Sequence, residues 1–555
     1  MSVFELEPKS GRRSTRRFHA GGIGLIAACL ALCVARSQAG SAEELQIPDG
    51  FYRIAGTVVN AKNGAPLARC RVTIIDTKDR QHTKFVIGGD DGRFEFYVPP
   101  GKYSLEGAKR GFIRAAYNQH DQFSTAIVTG ADLDTENLVL RLPAEAVLTG
   151  RVLDESGEPV RTAQIRIYRE EHALGVSRTS VYRSAMTDDQ GRYEAARLEE
   201  GIYFVSVKTS PWYAVHPPSN PEASPNTPAQ VDSALDVAYP ITYYGDATEA
   251  EDATPIPIRG GDRLEADIHL NPAPAVHLLV RVPNGGDFPV LSKPAFDGAE
   301  ELQGHDVESV APGLYELSGI AAGRYTVRIP DAGGQTKESE VEVNGAGELD
   351  TAAGRSTSKI KATVQIAGGA SAGEELQIFL RNSKGKRMAA QVDGKGEANF
   401  SDVASGKYDI LAGSAGQPFT VTRIASEGDT NSGHSLNVPV GASLSVVLTL
   451  AAGSVMVEGF AMRDGNPVAG AMIVLVPKSD ADYDRIRRDE SNLDGSFSLR
   501  DVIPGTYTVV AIENGWDLEW AQPGVLAQYL KRGQTVEAEG RSAVHPANSV
   551  YVQTK

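Results

Sequence analysis

Asp91-Gly92-Arg93-Phe94-Glu95-Phe96-Tyr97-Val98-Pro99-Pro100-Gly101-Lys102-Tyr103-Ser104-Leu105 is the stretch that decides the fold. Asp-Gly supplies the positive φ that a tight hairpin turn requires. Phe94 and Phe96 then alternate with Glu95, so both rings fall on one face of a strand. Pro-Pro-Gly reverses the chain into a second alternating run led by Tyr103. A tyrosine suits that place because its ring fills a core while its hydroxyl reaches a loop backbone at the rim.

The pattern recurs. Gly-x-Tyr stands at Gly101, Gly201, Gly323, Gly406 and Gly505, each followed two residues on by Tyr103, Tyr203, Tyr325, Tyr408 or Tyr507. Nine or ten residues upstream of each lies another glycine (Gly92, Gly191, Gly313, Gly396, Gly495), followed by an aromatic at Phe94, Tyr193, Tyr315, Phe400 or Phe497. The blocks are spaced by 100, 122, 83 and 99 residues, the length of one small β-sandwich each. Five copies make an internal repeat.

Each unit also has an opening half. Ile54-Ala55-Gly56-Thr57-Val58-Val59 leads through Asn63-Gly64-Ala65-Pro66 into Val72-Thr73-Ile74, and residues 148–167 and 457–475 repeat that order. Closing strands are expected at Leu138-Val139-Leu140, Ile268-His269-Leu270 and Val446-Val447-Leu448. Short alternating runs between turn residues, with almost no helical periodicity, predict an all-β tandem array of about five small immunoglobulin-like or transthyretin-like β-sandwiches. The expected bounds are 51–143, 147–272 (with an aromatic and Pro-rich insertion), 276–355, 358–451 and 455–555 (with a C-terminal helical cap). The third and fourth units are degenerate and are identified mainly from their closing halves.

Residues 56–74, Asp91-Gly92-Arg93-Phe94 and Gly101-Lys102-Tyr103-Ser104-Leu105 together resemble the carboxypeptidase regulatory-like domain, a β-sandwich related to starch-binding-like and Cna-B-type folds. The resemblance implies fold more than function. In metallocarboxypeptidases the domain is an accessory to a separate catalytic domain, other relatives are envelope modules, and the superfamily includes carbohydrate binders.

The first 39 residues read as an address. Five cations between residues 9 and 17, an apolar run over 21–35 and Ser37-Gln38-Ala39 make a secretory signal peptide, cleaved after Ala39. Ile26-Ala27-Ala28-Cys29 resembles a lipobox, but the chain stays apolar through Ala35, which argues against a lipid on Cys29. Cleavage removes Cys29 and Cys33 and leaves Cys70, so no disulfide forms within the mature chain. Cys70 adjoins the alternating run from Arg71 to Ile74 and reads as a packed thiol. With 55 Lys and Arg against 71 Asp and Glu, the net charge is −16, which opposes a nucleic-acid surface. No run of twenty apolar residues offers a membrane span to the mature chain.

Candidate chemistry is sparse. His305-Asp306-Val307-Glu308 has a zinc-pair spacing but falls in a stretch that reads as a solvated turn, without the α/β domain a peptidase needs. Gly369-Ala370-Ser371-Ala372-Gly373 matches a nucleophile motif yet is flanked by strands on both sides, where a nucleophile elbow requires a helix after it. Asp90-Asp91 and Asp188-Asp189 could offer calcium oxygen ligands, but aspartate belongs at such turns for local backbone bonding. The resemblance to Cna-B folds, some of which form acid-assisted Lys–Asn isopeptide bonds, would give Glu106 that role, but the opening strand Ile54 to Val59 has no lysine. No catalytic, metal or cofactor site is expected.

Two aromatic groups stand out. Trp212 and Tyr213, the Pro-rich stretch 217–228, and Tyr239-Pro240-Ile241-Thr242-Tyr243-Tyr244 form an insertion in the second unit. Trp212, Tyr213, Tyr243 and Tyr244 are the candidate ligand residues, since flat rings on a sandwich loop can stack on sugars. Trp516 and Trp520 would share a face if helical, with Pro523 starting a short helix carrying Val525, Leu526, Tyr529 and Leu530, as a terminal cap. The expectation is a secreted or periplasmic, non-enzymatic binding or scaffold protein of the cell envelope, with a polysaccharide or envelope glycan as partner. The alternatives are an accessory subunit of a separately encoded secreted hydrolase, or a passive spacer.

Overall fold

The computed structural model describes residues 50–555 apart from 131–132, 174, 218–231, 283–288, 303–305, 331–335, 346, 350–354, 368–375, 383–386, 415–416, 427–428, 433, 454, 479–484, 523 and 540–542. The expected signal peptide, Cys29, the Gly369–Gly373 motif, His305 and nearly all of the Pro-rich stretch lie outside the described residues.

The regular structure of the described chain is almost all strand, and one pairing scheme repeats five times. The opening strand Tyr52–Asn60 pairs antiparallel with Arg93–Val98 and parallel with the closing strand Leu138–Leu142. Opposite it, Arg71–Asp76 lies between Thr83–Ile87 and Lys102–Ala108, the strand that carries Tyr103. The opening strands Ala146–Leu153, Val276–Arg281, Ser358–Ile366 and Val455–Arg463 each have an antiparallel and at least one parallel partner of the same kind. The third and fourth units therefore keep the full strand order although their opening halves have drifted in sequence. The side-chain pattern needed for one buried face survives where the turn residues do not.

Each unit encloses its own core. Ile54, Phe94, Phe96, Leu105 and Leu140 meet in the first, and Leu148, Ile165, Tyr193 and Val205 in the second. Val280, Leu291 and Val327 fill the third, Ile378, Phe400 and Leu448 the fourth, and Val457, Ile473 and Phe497 the fifth. Cys70 is fully buried in the first core, where desolvation pushes its thiol up from the ordinary value.

Two details recur at every copy. All five repeat tyrosines donate their hydroxyl to the carbonyl four residues upstream: Tyr103 to Pro99 and Tyr203 to Glu199 at 2.9 Å, Tyr325 to Ala321 at 2.7 Å, Tyr408 to Ala404 at 2.9 Å and Tyr507 to Ile503 at 2.7 Å. At the turn glycines the opening strand bends in close. Val152 N–H donates to Gly191 O at 2.8 Å and Ala461 N–H to Gly495 O at 2.7 Å. Gly191 has φ +68°, and a Cβ there would sit 2.6 Å from Val152 O, so glycine is required on two counts.

The acidic turns are engaged locally. Asp188 Oδ1 accepts from the backbone N–H of Gln190 at 2.9 Å and of Arg192 at 2.8 Å, and Glu106 is paired with Arg114. Asp306–Ala311 is a strand, so three residues of the His-x-x-Glu spacing lie in a sheet and not in the turn expected for them. The run from Trp516 to Trp520 is also not helical, and the only α-helix among the described residues is Ala527–Leu530. Leu526 and Tyr529 cover Met472, Val474 and Ile512 on the outer face of the fifth unit. No described helix is long and apolar enough to cross a membrane.

The units also touch one another. In the fifth unit Glu490, 1 % exposed, accepts from Thr125 Oγ1 of the first at 2.6 Å and lies 3.1 Å from His120 Nδ1. His120 stacks on Trp516 with ring centroids 4.9 Å apart and planes 3° from parallel.

Candidate binding site on the second unit

The turn after the second unit's opening strand presents a carboxylate. Asp154 Oδ1 accepts from the N–H groups of Ser156 at 2.9 Å and Glu158 at 2.8 Å, which shapes the turn and leaves Glu155 projecting from it. Two insertion tyrosines converge on Glu155. Tyr213 donates to Oε1, and Tyr239 donates to Oε2 at 2.6 Å. Burial opposes the charge on Glu155, but the two hydroxyls outweigh it and hold the carboxylate below its ordinary value. The same bond, with smaller help from desolvation, pushes the Tyr213 phenol up to about 12.

Trp212 stands edge-on to Tyr213, centroids 5.8 Å apart and planes at 89°. It is 87 % exposed. A tryptophan so placed, next to a ring whose hydroxyl is anchored, offers a flat apolar face beside a carboxylate and two phenol oxygens. These groups can stack on a ligand ring and hydrogen-bond its hydroxyls.

Of the four candidates, Trp212 and Tyr213 come together and Tyr243 and Tyr244 do not join them. Tyr243 is fully buried and belongs to a cluster with Tyr168, Ile241 and the third unit's Ala295 and Phe296. Its ring presents no face to a ligand, which corrects its place in the candidate set. Tyr244 is half-buried against the second unit's own core. The reason is strand geometry: Thr242–Tyr243 pairs with Gly201–Lys208, and successive residues of an extended chain point to opposite faces. One tyrosine therefore packs outward under the third unit and the next packs inward. Tyr239 and Glu155 were missed. Tyr239 belongs to the aromatic insertion, but nothing in the sequence links it to a turn residue 84 positions earlier.

Residues 53–136 match the family model of the carboxypeptidase regulatory-like domain. No curated protein matches the chain. Among solved structures, the Bacillus anthracis TIE protein is 12% identical, with 72% of this chain and 75% of that one covered and a TM-score of 0.17. GBS52, the minor pilin of Streptococcus agalactiae, is 12% identical over 40% of this chain and 97% of its own, TM-score 0.21. BcpA, the major pilin subunit of Bacillus cereus, is 10% identical over 72% and 99%, TM-score 0.14. Likeness at that level carries no functional inference. The first unit thus has the sequence signature of a carboxypeptidase regulatory-like domain, and the four units behind it repeat its strand order.

Proposed function

We propose that this chain is an exported, non-enzymatic binding protein of the cell envelope whose second unit holds a neutral glycan. The observation that supports this most is Trp212, a large apolar ring left 87 % exposed beside Tyr213, Tyr239 and Glu155. Exposing an indole forgoes roughly 2 kcal/mol of burial, which a stacked sugar face would restore. The repeated sandwiches would set the site at a distance and hold it rigid.

The test is a polysaccharide pull-down and glycan array with residues 40–555, run beside Trp212→Ala and Glu155→Gln. Saturable binding lost in Trp212→Ala, with its unfolding unchanged, is expected. Glu155→Gln keeps an acceptor but weakens both tyrosine bonds, so a partial loss of affinity is expected there. Binding that survives Trp212→Ala would refute the site. Capture of a secreted hydrolase in place of any glycan would support the accessory-subunit reading.

A further inference from the structure

A cleft of about 1260 Å³ opens between the first, fourth and fifth units, and no residue of the Trp212 patch lines it. Its walls are built from regular strands: Arg71–Asp76 and Lys102–Ala108 on one side, Gln377–Asn382 and Arg387–Gln391 on another, and Arg487–Glu490 with Ser496–Val502 on the third.

Eight of the lining side chains are Lys or Arg and four are Asp or Glu, in a chain whose net charge is −16. Cations from three units are thus gathered against the charge of the whole molecule. Cations gathered in one cleft repel one another, so an anion there is stabilised by a focused field. Of the cations Arg381 is paired with Asp409 at 3.4 Å, and of the carboxylates Glu458 accepts from Ser498 Oγ at 3.3 Å. The other three carboxylates are engaged or weakened. Glu106 is paired with Arg114, Asp76 Oδ1 accepts from the N–H of Lys78 at 2.8 Å, and burial pushes the Asp489 carboxyl up to about 6.

Flat apolar faces stand among the cations. The Arg488 guanidinium lies 4.9 Å from the Trp520 ring centroid and 5.3 Å from that of Phe123, and its Nη2 is 3.3 Å from Asp121. Phe379 lines the fourth-unit wall.

We propose that this cleft binds a linear polysaccharide carrying carboxylates, a polyuronate. Guanidinium forks match carboxylates in paired hydrogen bonds, and the aromatic faces match sugar rings. A polyphosphate would satisfy the charge and leave the aromatic faces unused, which is why the carboxylated sugar is the better fit.

The experiment titrates the full chain with polygalacturonate in a calorimeter. Saturable binding that weakens at least about tenfold between roughly 50 and 200 mM salt is expected, as when several ionic contacts release counterions. The variant Lys78→Gln/Arg80→Gln/Arg500→Gln changes three exposed side chains and should lose about tenfold in affinity with its unfolding unchanged. If the triple variant fails to fold, Arg80→Gln and Arg500→Gln are read singly, each expected to lose about threefold. Trp212→Ala should leave polygalacturonate binding intact, which separates this site from the neutral-glycan patch. Absence of saturable binding, unchanged affinity in the folded variants, or equal affinity for inorganic polyphosphate would each overturn the proposal.

Discussion

At the scale of the residue, the repeat tyrosine carries two jobs in one side chain. In the third unit Tyr325 is 3 % exposed, its ring packs in the core, and its hydroxyl reaches back to Ala321 O. Tyr203 shows the electrostatic trace of that position, since burial pushes its phenol up to about 12. Tyr325→Phe keeps the ring and leaves a buried carbonyl short of its donor, so it should cost about 1–2 kcal/mol. Urea unfolding followed by a probe in the third unit would check this, and an unchanged midpoint would show the bond to be dispensable. Trp212→Ala serves as the contrast. Its ring packs little, so a stability change within about 0.5 kcal/mol is expected.

At the scale of the element, the C-terminal segment shows how an irregular stretch can hold regular ones. Trp516 stacks on His120 of the first unit and donates its Nε1–H to Gly470 O at 3.2 Å. Ala521 N–H donates to Gly175 O of the second unit at 3.1 Å, and a Cβ on Gly175 would sit 2.5 Å from the Trp520 ring. The segment therefore touches three units, which a simple cap on the last would not. Trp516→Ala should destabilise the contact between the first and fifth units by about 2 kcal/mol, less than a fully buried tryptophan because the ring is only half-buried. Limited proteolysis should then cut the first-unit segment around His120 faster, while the fifth unit's strands stay protected. Equal cutting rates would mean that the other contacts across this junction, among them Glu490 with Thr125 and Arg488 with Asp121, hold it without Trp516.

At the scale of the whole molecule, the junction of the second and third units contains a titratable chain. His277 lies with Nε2 2.9 Å from Asp236 Oδ2 and Nδ1 2.7 Å from Glu316 Oε1, and Asp236 Oδ1 is 2.9 Å from His216 Nδ1. Burial opposes the imidazolium, but the bonds to Glu316 and Asp236 outweigh it, so the His277 pKa is raised above 6.5. A raised folded-state pKa stabilises the protonated form. The contribution is fully present below the unfolded-state value near 6.5 and is lost as pH rises through the higher folded-state value. The junction should therefore hold best in mild acid and loosen on the alkaline side. Comparing thermal unfolding of the chain with that of His277→Gln across this range would test it. The gap between them should narrow with rising pH, and a constant gap would exclude the histidine.

Short-range chemistry was open to reading from the chain itself. Turn glycines, alternating runs and Gly-x-Tyr depend on a few neighbouring residues, so the five sandwiches and the core role of residues such as Phe94, Tyr103 and Cys70 followed from local rules. The drift of the third and fourth opening halves hid turns but not the final strand order, because pairing register rests on the buried face. Which tyrosine of Tyr243-Tyr244 faces outward, and what covers it, depended on the third unit packing against the second. The meeting of Tyr213 and Tyr239 on Glu155 and the gathering of cations between three units likewise join residues far apart in sequence. Such contacts form only when the units pack together, and no local periodicity encodes that packing.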